Sequence, residues 1–306
     1  MNTPPSFKQE ITAVFGKPVA ENPTQVMVEA AYRHHGLDWR YLTLEVDPAD
    51  LGDAVRGARA MGFAGFNCTI PHKVTVITHL DGLGESARIM GAVNCVVRRG
   101  SRLEGENTDG KGFLESLREL VDPRGLSVLI IGAGGAARAI GVEVCLAGAA
   151  RVRVANRNGS RGRELADLLA ARTPVRAEAI PWKSPLPVPG DVDVVINATS
   201  VGLFPNTEEI LPLDLETLRR GMIVADVIPN PPRTLLVRRA EARGCRVLDG
   251  LGMLVNQGAI GIKHWTGVDA DRTVMRGALE RVFGNQGPEG GNGPSAGASI
   301  RGSAGG

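Results

Sequence analysis

The chain has 306 residues, 43% hydrophobic but only 4% aromatic, so its core must be assembled from Val, Leu, Ile and Ala. Lys plus Arg (35) against Asp plus Glu (33) leaves a formal charge of +2, which argues against a nucleic-acid or anionic-membrane partner. Forty glycines without a Gly-X-Y period exclude collagen, and no apolar run approaches the length of a membrane span. Met1 to Glu10 carries no apolar signal core. Cys68, Cys95, Cys145 and Cys245 lie far apart with no C-x-x-C pair, so neither a disulfide framework nor a metal site is expected and a reducing cytoplasm is the simpler setting.

In chain order, Tyr41 to Val46 alternates like a half-exposed strand, Leu51 to Met61 has helical periodicity, and Phe63 to Thr69 reads as a strand. Ala92 to Arg98 and Arg102 to Gly105, divided by a Gly-Ser turn, predict a hairpin, and Asp109 to Val121 a helix that breaks at Pro123-Arg124-Gly125. Ser127 to Ile131 is a continuous apolar run, the pattern of a strand covered on both faces. Helix Ala136 to Leu146, strand Arg151 to Ala155, helix Arg161 to Ala171 and strand Val192 to Ile196 follow, then strand Met222 to Ala225, helix Thr234 to Arg243 and strand Arg246 to Leu248. Such alternation predicts a parallel sheet with helices on both faces. Two further helices are expected over Leu251 to Trp265 and Asp269 to Phe283. The fold class is therefore α/β: a Rossmann-like cofactor domain over 110–249, and a second α/β domain built from 1–109 and completed by the helices of 250–284. From 285 to 306, eight glycines and a single large apolar side chain, Ile300, predict a disordered tail.

Gly132-x-Gly134-x-x-Ala137 follows the buried strand and opens a helix. The first glycine permits the tight turn, the second lets backbone approach a pyrophosphate, and Ala137 allows close helix–strand packing. Backbone N–H groups at the helix start, from Ala133 through Gly135 and Ala136, would meet the phosphates. An NAD site would place Asp or Glu near the end of the next strand, but this chain offers Asn156, Arg157 and Asn158, with Arg161 one turn later. Two guanidinium groups beside polar side chains suit the 2′-phosphate of NADP.

Asn67 to Lys73 brings amide, hydroxyl and amine to the end of a strand, and Asn107-Thr108-Asp109-Gly110 stands where a hairpin enters a helix. As isolated features, Asp109 would serve as a helix cap and Lys73 as a solvated first-turn lysine. Together they resemble the shikimate dehydrogenase family. Its N-x-T-x-P-[aromatic or His]-K motif is matched by Asn67, Thr69, Pro71, His72 and Lys73, its G-A-V-N by Gly91 to Asn94, and its N-T-D-x-x-G by Asn107, Thr108, Asp109 and Gly112. The glycine loop at Gly132 to Ala136, the N-R motif at Asn156-Arg157, Asn197 to Gly202 and Gly250 to Gln257 continue the series, so that the likeness runs in order from about Thr12 to Phe283.

The resemblance implies a reversible NADP-dependent oxidation of a ring hydroxyl of shikimate to the 3-dehydro ketone. Lys73 would be the general acid/base, and Asp109 would bond the same oxygen and orient the lysine. Hydride leaves an alcohol carbon only as the hydroxyl proton is lost, so a proton acceptor must stand within hydrogen-bond reach. By the same likeness Thr69, Asn94, Asp109 and Gln257 hold substrate hydroxyls. Val227, Gly250 and Met253 border the nicotinamide, and Glu85 lies near the cofactor. Gly250 and Gly252, with the loop glycines, are expected to let backbone approach the dinucleotide. The expected partner is a small cyclic hydroxy acid bound to a monomer or homodimer.

Two segments depart from the family. Its two serines that grip the substrate carboxylate are replaced by Asn22 and Thr24, with Glu21 at its histidine, and its substrate-holding tyrosine is replaced by Pro229. An amide and a hydroxyl still donate to a carboxylate, but with different reach. A dehydrogenase of a related cyclic polyol acid, such as quinate or an amino analogue, is therefore the alternative substrate reading, and a non-catalytic dinucleotide-binding regulator the alternative class. A folate-type dehydrogenase is disfavoured because no Tyr-x-x-x-Lys pattern surrounds Lys73.

Overall fold

The computed structural model describes residues 7–284; the glycine-rich segment 285–306 lies outside the described residues. Two six-stranded sheets organise the rest. The first contains β1 (Glu10–Gly16), β2 (Trp39–Glu45), β3 (Gly65–Cys68), β4 (Gly82–Leu83), β5 (Cys95–Arg99) and β6 (Arg102–Glu106), in the order β2-β1-β3-β5-β6-β4. The β1–β2 and β1–β3 pairs are parallel, whereas the β5–β6 hairpin runs antiparallel and joins β3. Helices α1 (Thr24–His34), α2 (Leu51–Ala60), α3 (His72–Thr75) and α4 (Glu85–Met90) lie between these strands in sequence.

The second sheet is wholly parallel: β7 (Ser127–Ile131), β8 (Arg151–Ala155), β9 (Arg176–Ile180), β10 (Val194–Asn197), β11 (Ile223–Asp226) and β12 (Arg246–Leu248), in the order β12-β11-β10-β7-β8-β9. Val128 to Ile131 and Val194 to Asn197 are fully buried, as strands covered on both faces must be. The crossovers run through α6 (Gly135–Leu146), α7 (Gly159–Arg172) and α8 (Leu235–Ala242). Strand order reverses between β7 and β10, and in open α/β sheets the crevice beyond the carboxyl ends of such a pair is where ligands bind.

Helix α5 (Asp109–Arg118) leaves the first sheet and packs against α6 and α9 (Gly250–Thr266); α10 (Arg272–Gly284) closes on α1. Glycines set how near α5 comes to its neighbours. A Cβ on Gly110 would stand 2.3 Å from the Ala139 carbonyl oxygen of α6, and one on Gly112 would stand 2.6 Å from the Gln257 nitrogen of α9. Asp109, the first residue of α5, is thereby held near the packing of α5 against α6 and α9.

Most sequence-derived boundaries fall within a few residues of the observed ones. The expected helix Asp109 to Val121 ends at Arg118, and the strand Phe63 to Thr69 shortens to Gly65–Cys68. The final helix begins at Arg272 rather than Asp269 because Asp271 accepts from the backbone N–H groups of Thr273 and Val274.

Candidate active site

At the carboxyl ends of β1 and β3 a cavity of ≈ 190 Å³ collects Asn22, Thr24, Asn67, Thr69, Lys73, Asn94, Asp109 and Gln257, with Val14, Cys68 and Leu254 supplying apolar wall. All seven residues expected to act on substrate therefore meet, although 235 positions separate the first from the last. Lys73 Nζ donates to Asp109 Oδ2 at 2.6 Å, with 32% and 20% of the two side chains exposed.

A chain of amides orders this pair. The Thr108 backbone N–H donates to Asn94 Oδ1 at 2.7 Å, which turns the Asn94 amide nitrogen toward Asp109 Oδ1 at 2.8 Å. Asn107 Oδ1 accepts from the Asp109 backbone N–H. Asn67 accepts from Tyr41 Oη at 2.7 Å and donates to the Asn94 carbonyl at 2.9 Å, tying β2 and β3 to the residue that precedes β5. His72 is turned away: it is buried, with Nε2 2.8 Å from the Val46 carbonyl, so its place in the motif is structural. Burial pushes the Cys68 thiol up to about 12, which leaves this cavity residue a neutral thiol rather than a nucleophile.

The altered carboxylate motif is also placed. Thr24 is the first residue of α1, and its backbone N–H donates to Asn22 Oδ1 at 3.0 Å. The Asn22 carbonyl is thus engaged within the chain, and its amide N–H groups are what it can offer a ligand. Glu21 is exposed and does not line the cavity, nor does Pro229.

A second cavity, ≈ 440 Å³, opens at the strand reversal of the parallel sheet. It is lined by Gly132, Ala133 and Gly134 after β7, by Asn156, Arg157 and Arg161 after β8, and by Ala198 to Val201 after β10. Gly132 has φ +115°, and a Cβ there would lie 2.7 Å from the Ala198 carbonyl, so only glycine fits the turn. Cβ atoms on Gly134 and Gly135 would meet nothing within 4 Å, which leaves open space above the start of α6. Free N–H groups at that helix start, backbone unobstructed by side chains, and two guanidinium groups at the end of β8 fit a dinucleotide carrying a 2′-phosphate.

The remaining expected cofactor residues have other visible duties. The Asn158 side chain caps α7, accepting from the backbone N–H groups of Ser160 and Arg161. Gly250 is demanded by backbone: a Cβ would lie 2.4 Å from atoms of Val227 and Ile228, so the chain passing over α9 itself requires glycine there. A Cβ on Gly252 would stand 3.0 Å from the Ser116 hydroxyl oxygen. Val227 and Met253 are partly buried against the core beneath the parallel sheet, and Glu85 opens α4; these three, Ala136 and Gly250 line neither cavity. Val14 in the first cavity, and Trp182 with the segment Glu209 to Pro212 in the second, are not expected from the sequence because no motif marks them, and Leu254 is legible only as part of the Gly250 to Gln257 motif, not as a site residue. A larger cavity of ≈ 690 Å³ lies among α5, α6 and α9 and contains none of the expected site residues. Its charges are largely paired, as Lys111–Glu106, Arg272–Glu115 and Lys263–Asp269. Among the described residues, no helix is long and apolar enough to cross a membrane.

A parallel sheet with a dinucleotide crevice, beside a polar cavity holding a paired lysine and aspartate, defines a dinucleotide-dependent oxidoreductase acting on a secondary alcohol or its ketone. The match to known proteins makes this specific. Residues 14–96 match the shikimate dehydrogenase substrate binding domain, and 250–280 match the shikimate 5′-dehydrogenase C-terminal domain. The chain is 44% identical over 272 residues to the shikimate dehydrogenase (NADP(+)) of Shouchella clausii, covering 88% of this chain and 96% of that protein. The chain belongs to the shikimate dehydrogenase family. Among solved structures, ligand-free 5-ketofructose reductase of Gluconobacter sp. strain CHM43 superposes with TM-score 0.89 at 50% identity, covering 91% of this chain and 100% of that one. Shikimate 5-dehydrogenase of Thermus thermophilus, in complex with NADP(H) and shikimate, gives 0.78 at 33% identity, covering 89% and 99%.

Proposed function

We propose that this chain is an NADP-dependent shikimate dehydrogenase that interconverts shikimate and 3-dehydroshikimate. Residues 1–109, completed by 250–284, hold the substrate, and 110–249 hold the cofactor. The observation that carries the reading is the 2.6 Å contact of Lys73 with Asp109 inside a cavity whose other polar lining consists of amides and hydroxyls. Lys73 Nζ takes the hydroxyl proton in oxidation and returns it to the ketone oxygen in reduction. Asp109 Oδ2 holds that amine in place, while Thr69, Asn94 and Gln257 fix the remaining hydroxyls of the ring. NADP, when bound, supplies or accepts the hydride. Arg157 and Arg161 hold its 2′-phosphate and thereby favour it over NAD.

A second substrate reading rests on Asn22. With its carbonyl engaged by Thr24, this residue offers an amide where the family has carboxylate-binding serines, and the structural neighbour at 50% identity is a reductase of a neutral ketose. A neutral polyhydroxy ketone would use the same Lys73–Asp109 chemistry and differ only at this end of the cavity. Purified protein assayed with oxidised NADP on shikimate and quinate, and with reduced NADP on 3-dehydroshikimate and 5-ketofructose, decides between them. Turnover of the shikimate pair is expected. Turnover confined to the ketose would replace it with the second reading, and no turnover of any would refute both.

A further inference from the structure

The cofactor cavity has one wall that the glycine loop and the arginines do not explain. Trp182 stands two residues beyond the end of β9, at the same sheet edge as Asn156 and Arg157, and lines the cavity with Ile210 and Pro212. Its indole is anchored from behind, packed against the cluster that contains Ile131, Leu186 and Leu211. The segment that carries Ile210 is fixed to the same wall, since Leu186 N–H donates to the Pro212 carbonyl at 2.8 Å and Leu186 pairs with Leu213.

The other two tryptophans are already engaged. Trp39 tilts against Tyr32 with ring centroids 5.8 Å apart, and Trp265 donates its N–H to the Val96 carbonyl in the core. Trp182, by contrast, has no aromatic or hydrogen-bonded partner among the described residues and is only half-buried. Ile210, which lines the same cavity, is 53% exposed although its side chain is aliphatic. An anchored aromatic side chain and a solvent-exposed aliphatic one thus line the same cavity as Arg157 and offer apolar surface suited to a flat heteroaromatic ring.

We propose that Trp182, with Ile210 and Pro212, forms the adenine-binding wall of the cofactor site, on which the base stacks. This rests on the reading of the cavity as a dinucleotide site and extends it by dividing the labour there. Arg157 and Arg161 recognise a phosphate that only NADP carries, whereas Trp182 recognises a ring common to NADP and NAD. Trp182 therefore sets affinity for both cofactors, and the arginines set the choice between them.

The test uses the full chain and adenosine 2′,5′-bisphosphate, which has the base and the 2′-phosphate but no nicotinamide to absorb indole emission. Binding is followed by calorimetry and by tryptophan fluorescence. Wild type is expected to bind with quenching. Trp182→Phe should bind with nearly the same affinity, because a phenyl ring still stacks, but without the quenching. Trp182→Ala should lose affinity by about 5- to 150-fold, the range for removing one base-stacking aromatic. It should lose the same factor for NADP and for NAD, whereas Arg157→Ala should weaken NADP alone. Wild-type affinity in Trp182→Ala, or quenching that persists in Trp182→Phe, overturns the assignment while leaving the cofactor reading intact. Failure of wild type to bind either adenosine 2′,5′-bisphosphate or NADP overturns both.

Discussion

Replacing Asp109 by Asn tests the arrangement at the reacting atom with almost no change of shape. Asn94 is committed by its bond from the Thr108 N–H to present an amide donor to position 109. The oxygen of a substituted asparagine must therefore accept from Asn94, which turns its NH₂ toward Lys73 where Oδ2 now stands at 2.6 Å. Donor then faces donor, and Lys73 loses its acceptor. A hydrogen bond between charged groups contributes about 1.5–3 kcal/mol, so kcat/KM should fall by about 10- to 150-fold. That loss lies at or below the ~10²–10⁴-fold that a positioned acid/base supplies. The assay is the near-ultraviolet absorbance of reduced cofactor, with thermal unfolding and NADP affinity as controls expected to match wild type. Lys73→Ala should cost about 10²–10⁴-fold, and Lys73→Ala combined with Asp109→Asn should cost little more, because the two residues act as a unit. Turnover of Asp109→Asn within about threefold of wild type, or losses that multiply in the double variant, would refute the pairing.

Three further outcomes follow from the geometry. Arg157→Ala should weaken NADP by about 10- to 150-fold, the worth of charge-assisted hydrogen bonds, and leave NAD unchanged; titration with each cofactor checks this. Gly110→Ala sets propensity against packing: alanine favours a helix by about 0.5–1 kcal/mol, but here its Cβ would strike the Ala139 carbonyl at 2.3 Å, and overpacking costs about 1–3 kcal/mol. A lowered unfolding temperature is expected, and a raised one would show that α5 and α6 are farther apart. Glu143, on α6, is 6% exposed, and burial raises its pKa although the nearby Ser86 hydroxyl, Lys111 and Arg118 oppose the shift. Because the folded state then holds the proton more tightly than the unfolded chain, stability falls as pH rises from the ordinary glutamate range through the raised folded value. Glu143→Gln should be more stable than wild type above that window, by about 1 kcal/mol or more, and the gain should vanish in acid. A gain independent of pH would refute the assignment.

The parallel sheet was the part most legible in the sequence. Strands β7, β8 and β12 begin and end at the residues expected from the sequence, and β7, covered on both faces, shows why: such a strand admits few polar side chains. Elements stabilised by what they touch were harder to read. The edge strand β9, Arg-Ala-Glu-Ala-Ile, has no fully buried residue and exists through pairing with β8. Helix α1 starts without a side-chain cap after Pro23, so nothing local announced that Thr24 opens it. Trp182 escaped for the same reason: its significance lies in a cavity assembled from four separate strand ends and loops.

The opening composition excluded classes of protein, and local motifs then determined the cofactor loop, since a turn with positive φ at Gly132 and an unobstructed helix start are properties of a few consecutive residues. The family likeness added the identities of Lys73 and Asp109. Their contact was decided only by tertiary structure, because 36 positions separate them and a hydrogen bond needs placement to within a fraction of an ångström. The same distinction holds for Gly250, legible as a motif glycine, whose need for glycine beside the backbone of Val227 and Ile228 arises only when the chain folds.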